Sequence, residues 1–384
     1  MKEILELIRR IQAAPERAAA ELQAFVDGRA FPIADEHMAT FFFWDGKPTH
    51  TVHLIHWVFG LESRQELQRI EGTDAFFLPL ELPFDGRVEY KFELQRDYQT
   101  HLVRDPLNAR LAMDPFGYNS VCPMSGYQEP TWVFPEIGAR PGRMVSFELN
   151  SAAWGDRRKV QVLLPAEYRA GKTYPLMIVH DGSDYLRFAT MKTVIDNLIA
   201  RHEVIPMVVA FIDGSAHRNA EYGANPRQVQ FVVDEVLPAL RKRYSVSTDP
   251  EDTGIMGASF GGVSSLFIAW SRPGVFGRVL LQSGSFLFTD VGHHDRGPLW
   301  DPVAAFVNAF RTDPGRVAAQ IYMSCGTFES LIYYNRSLVP LLRAQRLNVR
   351  FVEARDGHNW IAWRDRLREG LTFLFPGHLW MVYE

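Results

Sequence analysis

The residues with the clearest chemical potential are Gly257-Ala258-Ser259-Phe260-Gly261. Thr253-Gly254-Ile255-Met256 before them reads as a short buried strand, and Gly262 through Trp270 after them reads as a helix. A Gly-x-Ser-x-Gly turn between strand and helix lifts a serine hydroxyl clear of a sheet, where it can attack a carbonyl carbon. Glycines permit the tight backbone that this turn needs. Any glycine-rich structural turn could match the bare pattern, so its weight comes from the strand and helix around it and from a partner base and acid.

A serine hydroxyl is a poor nucleophile until a base takes its proton. His358, in Asp356-Gly357-His358-Asn359-Trp360, follows the last expected strand and precedes the last expected helix. In α/β-hydrolases the chain order is Ser, acid, His, with the histidine after the final strand, and this points to His358 as the base. The acid belongs after the penultimate strand, Ile321–Gly326, which points to Glu329. Asp356 and Asp295 are its rivals, and the plain alternative is that Glu329 caps a helix starting near Ser330.

An oxyanion needs two N–H donors. The Phe260 N–H is expected to be one, and the Ser183 N–H in His180-Asp181-Gly182-Ser183-Asp184-Tyr185 the other, with Gly182 allowing close approach of the backbone. The plain alternative is that Asp181-Gly182 is an ordinary turn. Arg218 lies in a loop at the C-terminal end of a strand, where open α/β sheets build sites. It either grips an anionic substrate group through its fork or pairs with Glu221. Asp181, Gly182, Tyr185 and Arg218 are therefore the candidate substrate contacts. His50, His53 and His56 share a strand but not a face, and His293-His294-Asp295 sits in a long loop. No metal site and no cofactor is expected.

The elements that must position these residues change character along the chain. Residues 1–30 read as a helical segment, with Pro15 starting or breaking a second helix. Residues 31–125 carry short strands, including the aromatic Thr40–Trp44, Thr51–Phe59, Ala75–Leu82, and Arg87–Leu94 with its alternating Val88, Tyr90, Phe92 and Leu94. Their spacing and turn residues predict a β-sandwich. Residues 126–143, with Pro130, Pro135 and Pro141, read as a linker. From 144 to 384 strands and helices alternate, predicting a mostly parallel sheet with helices on both faces. The expected helices there span about 188–202, 227–243, 330–346 and 360–374.

At 384 residues and 47% hydrophobic, the chain suits two domains with sizeable cores. A net charge of −4 gives no general attraction to nucleic acid or anionic membranes. No apolar run is long enough to span a bilayer, and the charged, amphipathic N-terminus lacks the apolar core of a signal peptide. The two cysteines, Cys122 and Cys325, are too few for a disulfide framework. A cytoplasmic protein is expected.

Together, these motifs resemble the enterochelin (enterobactin) esterases and the wider esterase D-like α/β-hydrolases. The resemblance spans nearly the whole chain. It is carried by Gly72 through Phe77, Asp105-Pro106-Leu107-Asn108 and Asn119-Ser120-Val121 in the first half. In the second half it is carried by Asp181-Gly182, Arg218 with Glu221, Gly257 through Gly262, Gly326 through Glu329 with Asn335-Arg336, and Gly357-His358 with Trp363-Arg364. It implies an immunoglobulin-like domain followed by an α/β-hydrolase domain, with Ser259 as nucleophile, His358 as base and Glu329 as acid. The implied substrate is the serine-lactone ester of a ferric catecholate siderophore. Arg143, Arg218, Arg336 and Arg355 are scattered candidates for holding such an anion. Two other readings stay open: an esterase for a carbohydrate or aromatic ester, and a non-catalytic binding protein on a hydrolase scaffold.

Overall fold

The computed structural model describes residues 1–378, which divide into two compact units. The first comprises residues 1–129 together with 327–330 and 354–359. It opens with helices α1 (Lys2–Ala13) and α2 (Ala18–Val26). One sheet follows the order β1 (Ile33–Ala34), β2 (Met38–Phe43), β6 (Phe76–Glu81), β5 (Gln68–Arg69). The other runs β4 (Arg64–Glu66), β3 (Thr51–His56), β7 (Arg87–Arg96), β10 (Gly117–Pro123), β9 (Leu111–Asp114), with β8 (Gln99–Val103) also paired to β7.

Alternation along β2 explains its aromatic run. Phe41 and Phe43 point into the sandwich, where they meet Tyr90 and Phe92 of β7 at 4.8 and 5.4 Å between ring centroids. Phe42 points the other way and packs with Ile4, Leu7 and Ile11 of α1 and Phe25 of α2. The run is therefore sandwich core on one face only; its middle residue belongs to a helix–sheet layer. Phe328, from a segment far along the chain, is part of the same sandwich core as Phe43, Val88 and Met124.

The second unit comprises residues 130–326, 331–353 and the chain from Trp360 on. Its eight-stranded sheet has the order β11 (Arg143–Ser151), β12 (Asp156–Leu164), β14 (Val208–Ile212), β13 (Leu176–His180), β15 (Thr253–Ala258), β16 (Arg278–Gln282), β17 (Gln320–Gly326), β18 (Asn348–Ala354). β11, β12 and β14 pair antiparallel, whereas β14, β13, β15, β16 and β17 run parallel. Every residue of β13, β14 and β15 is buried, as expected for strands covered on both faces.

The helices are α3 (Gly182–Phe188), α4 (Met191–Ala200), α5 (Arg218–Tyr222), α6 (Pro226–Val229), α7 (Leu237–Arg243), α8 (Phe260–Ser271), α9 (Asp301–Thr312), α10 (Ile332–Ala344), α11 (Trp360–Asp365) and α12 (Leu367–Leu374). The helix expected at 188–202 is α4; α3 before it was not expected, and the two are separated where Thr190 takes a φ of +45°. A π-helical stretch, Gln230–Val236, joins α6 to α7. Pro238 sits at the start of α7 and has no N–H to donate back. From neighbouring strands β13 and β15 the chain leaves in opposite directions along the sheet, toward β14 and β16. A parallel sheet opens a crevice at such a switch point, beyond the carboxyl ends of its strands. Residues 181 and 259 follow those two ends.

Candidate active site

Ser259 joins β15 to α8 with φ 56° and ψ −120°, a conformation that L-residues rarely adopt. Surrounding contacts hold it there. Its N–H donates to Gln282 O at 2.9 Å, and its carbonyl accepts from Gly262 N at 3.1 Å. The glycines are needed for space. A Cβ on Gly257 would stand 2.4 Å from the carbonyl carbon and oxygen of Gly261, and one on Gly262 would stand 3.2 Å from Gly284 Cα. The Ser259 hydroxyl lies 3.2 Å from the Ser285 hydroxyl. Phe260 is the first residue of α8.

The loop after β13 departs from expectation. Asp181 takes a left-handed φ of 54° and is buried. Its carboxylate receives the Arg218 fork, with Nε at 2.5 Å. Arg218 therefore pairs with Asp181, not with Glu221. Glu221 is gripped by Arg158 through two bonds of 2.8 and 2.9 Å and accepts from both the N–H and hydroxyl of Ser215. Burial works to raise the Glu221 carboxyl, but Arg158 and Ser215 outweigh it and hold the group below its ordinary value. For Asp181 the balance reverses, and burial raises the carboxyl despite the Arg218 fork.

The Ser183 N–H donates to Asp213 Oδ1 at 2.9 Å, and its hydroxyl donates to Oδ2 at 2.5 Å. In this arrangement the N–H expected to stabilise an oxyanion serves Asp213. Gly182 allows close packing: a Cβ there would fall 2.3 Å from Phe211 Cβ. Tyr185 is fully buried, its hydroxyl donating to Gln282 Oε1 at 2.7 Å and its ring meeting Trp360 edge-on. It is a scaffold residue, so the expectation of a substrate contact is corrected. Gln282 was not singled out in the sequence. Its carbonyl holds Ser259, its side-chain oxygen holds Tyr185 and its Nε2 donates to Trp363 O at 2.8 Å. A lone glutamine at a strand end carries no pattern that announces this.

His358 and Glu329 are brought together in the first unit. His358 Nδ1 lies 2.6 Å from Glu329 Oε2; the carboxylate is buried, and the imidazole side chain keeps 36% of its exposure. Asp356 binds elsewhere: Arg87 Nη1 reaches both of its oxygens at 3.0 and 2.9 Å, and Asn359 and Gly357 donate to Oδ1. Burial pushes the Asp356 carboxyl up to about 6, against the pull of Arg87. Asp295 lies in an exposed loop. His56 is buried and accepts from Val58 N through Nδ1, while His294 lies 3.4 Å from Asp301. Among the described residues no group of three or more His, Cys, Asp or Glu could hold a metal ion.

Comparison with known proteins gives the class. The sequence profile of the "Putative esterase" family matches residues 151–374, and the chain belongs to this esterase family. It is similar to the iron(III) enterobactin esterase of Escherichia coli (strain K12), with 26% identity over 81% of this chain and 82% of the relative. Its similarity to the relative of that name from Dickeya dadantii is 23% over 82% and 80%. Among solved structures, the ferric enterobactin esterase of Salmonella typhimurium superposes with a TM-score of 0.74 at 24% identity, covering 88% of this chain and 93% of that one. The family and the shared fold establish a hydrolase whose α/β domain follows an all-β unit.

Proposed function

We propose that the protein is a serine esterase acting on a catecholate siderophore ester, with Ser259 as nucleophile, His358 as general base and Glu329 as the acid that orients it. The observation that carries the nucleophile assignment is the strained backbone of Ser259, which glycine-permitted contacts maintain. With Glu329 at His358 Nδ1, Nε2 is the ring nitrogen that takes the Ser259 proton in this reading. In this reading Ser259 Oγ attacks the ester carbonyl as His358 accepts its proton. The negative charge forming on the carbonyl oxygen is met by the Phe260 N–H. His358 then protonates the leaving alcohol, and water releases the acyl group by the reverse sequence.

The substrate class rests on extent of similarity. Relatives named for iron(III) enterobactin align over more than four-fifths of this chain, both units included, whereas a ferulic acid esterase structure covers 61% of it at a TM-score of 0.52. Iron would enter as part of the substrate. A cytoplasmic location is consistent with a chain that has two cysteines, Cys122 and Cys325, both buried.

The test compares wild type and Ser259→Ala on p-nitrophenyl acetate, p-nitrophenyl butyrate and ferric enterobactin. Serine-dependent opening of the ferric siderophore is expected. Turnover of the simple esters alone would keep the serine chemistry and remove the substrate assignment. Equal activity of the two proteins would remove the nucleophile.

A further inference from the structure

Arg87, on β7, is 2% exposed and has no place in the esterase chemistry described so far. Its guanidinium reaches both sides of His358. Nη1 donates to the two Asp356 oxygens, two residues before the histidine, and to Asn359 Oδ1 at 3.1 Å, the residue after it. Nη2 donates to Glu89 Oε1 at 2.6 Å, and Glu89 Oε2 accepts from Asn119 at 2.8 Å. Burial works against the charge on Arg87, but Asp356 and Glu89 outweigh it and keep the guanidinium protonated.

Backbone bonds tie the same segments together. Arg87 N donates to Arg355 O at 2.9 Å, Thr327 N to Ala354 O at 2.8 Å, and Phe328 N to Asp356 O at 3.1 Å. Phe59 N donates to Phe328 O at 2.7 Å, and the Phe328 ring sits in the sandwich core. The segments bearing Glu329 and His358 thus cluster with the all-β unit and not with the sheet whose strands they leave. Buried charge pairs contribute little net stability compared with packed apolar side chains, but a planar fork fixes one geometry where apolar groups tolerate several.

We propose that Arg87 is a positioning residue for the esterase reaction, holding through Asp356 and Asn359 the loop that aims His358. This rests on the assignment of His358 and Glu329 made above. A lysine at position 87 keeps the charge but cannot fork across Asp356, Asn359 and Glu89.

The test is steady-state hydrolysis of p-nitrophenyl butyrate by the full-length protein. Arg87→Lys and Asn359→Ala are each made alone and in a His358→Ala background, with circular dichroism confirming the fold. Arg87→Lys is expected to lower kcat by up to about 100-fold, the scale of an ångström's misplacement, with KM within about twofold. The uncharged change Asn359→Ala is expected to give a smaller loss of the same kind. Neither should lower activity further once His358 is gone, because a residue acting through the imidazole has nothing left to position. Wild-type kcat in the folded single variants, or losses that add in full to that of His358→Ala, would overturn the proposal. If Arg87→Lys does not fold, Asn359→Ala decides alone. If His358→Ala and Glu329→Gln themselves retain wild-type kcat, the acid–base assignment fails first and the positioning role fails with it.

Discussion

Replacing Gly257 by alanine tests the serine turn without touching a reacting group. A Cβ at position 257 would lie 2.4 Å from the carbonyl carbon and oxygen of Gly261 and 2.8 Å from its Cα. Ordinary van der Waals contact begins near 3.4 Å, so the shortfall is 1.0 Å, and it falls on backbone at the first turn of α8. No side chain can swing aside to relieve it. Either β15 or α8 must move, and Ser259 joins the two. Overpacking of this kind costs about 1–3 kcal/mol of stability. An ångström's displacement of a nucleophile costs on the order of 100-fold in rate, about 2.7 kcal/mol of barrier. Gly261→Ala is the internal control: its Cβ would approach Asp181 Oδ2 at 3.2 Å and His180 Cβ at 3.3 Å, a shortfall of 0.2 Å against side chains. Neither glycine has a left-handed φ, so the contrast is purely one of space. The assay is kcat on p-nitrophenyl butyrate and the labelling rate with a fluorophosphonate, alongside the urea midpoint. The expected order is a large loss for Gly257→Ala and a small one for Gly261→Ala. Equal effects of the two changes, or wild-type labelling of Gly257→Ala, would refute the reasoning.

Two further expectations separate scaffold from surface. Tyr185→Phe removes the donor to Gln282 Oε1 in a fully buried site, so stability should fall by about 1–3 kcal/mol while KM stays unchanged; a raised KM at unchanged stability would return Tyr185 to the substrate surface. His180 is fully buried between the Ser264 and Ser265 hydroxyls, and burial pushes its imidazole down to about 3 from an ordinary 6.5. Above pH 6.5 neither the folded nor the unfolded chain protonates it. Between 6.5 and about 3 only the unfolded chain does, so stability is full above that window and is lost as pH falls through it, at about 1.4 kcal/mol per pH unit. Urea melts at about pH 7.5 and about pH 5 should show a gap between wild type and His180→Gln that shrinks by about 2 kcal/mol at the lower pH; a constant gap would contradict the burial argument.

What the sequence made legible was local or ordinal. Strand, glycine turn and helix around Ser259 lie within about twenty consecutive residues. The alternation of Val88, Tyr90, Phe92 and Leu94 shows one buried face of β7, and the unbroken apolar run Leu176–Val179 shows a strand buried on both. Chain order placed Glu329 after β17 and His358 after β18, and the two meet. Partnerships between distant segments were not legible. Arg218 offered Glu221 as a neighbour three residues away, yet it bonds Asp181, while Glu221 bonds Arg158, 63 positions earlier. Arg87 and Asp356 are 269 positions apart. With 41 basic and 45 acidic side chains in one chain, residue type alone cannot say which pairs form. Burial of Tyr185 was hidden for a related reason, since an aromatic after Asp-Gly reads equally as a pocket wall or as the core face of a short helix.

These pairings bear on how an anionic substrate could be held. Of the four arginines scattered near the motifs, Arg218 is forked onto Asp181 and Arg336 onto Glu353. A guanidinium already facing a carboxylate brings little net charge to a ligand, and moving it away would leave the carboxylate exposed to the full cost of its burial where that carboxylate is Asp181. These forks are better understood as fixing loops. Arg218 holds the turn after β13, Arg158 the helix after β14 through Glu221, and Arg87 the segment after β18. Arg143 and Arg355 form no ion pair among the described residues. A multiply anionic ferric catecholate could draw charge from Arg218 or Arg336 only by breaking these forks, and a chain of net charge −4 offers it no general attraction.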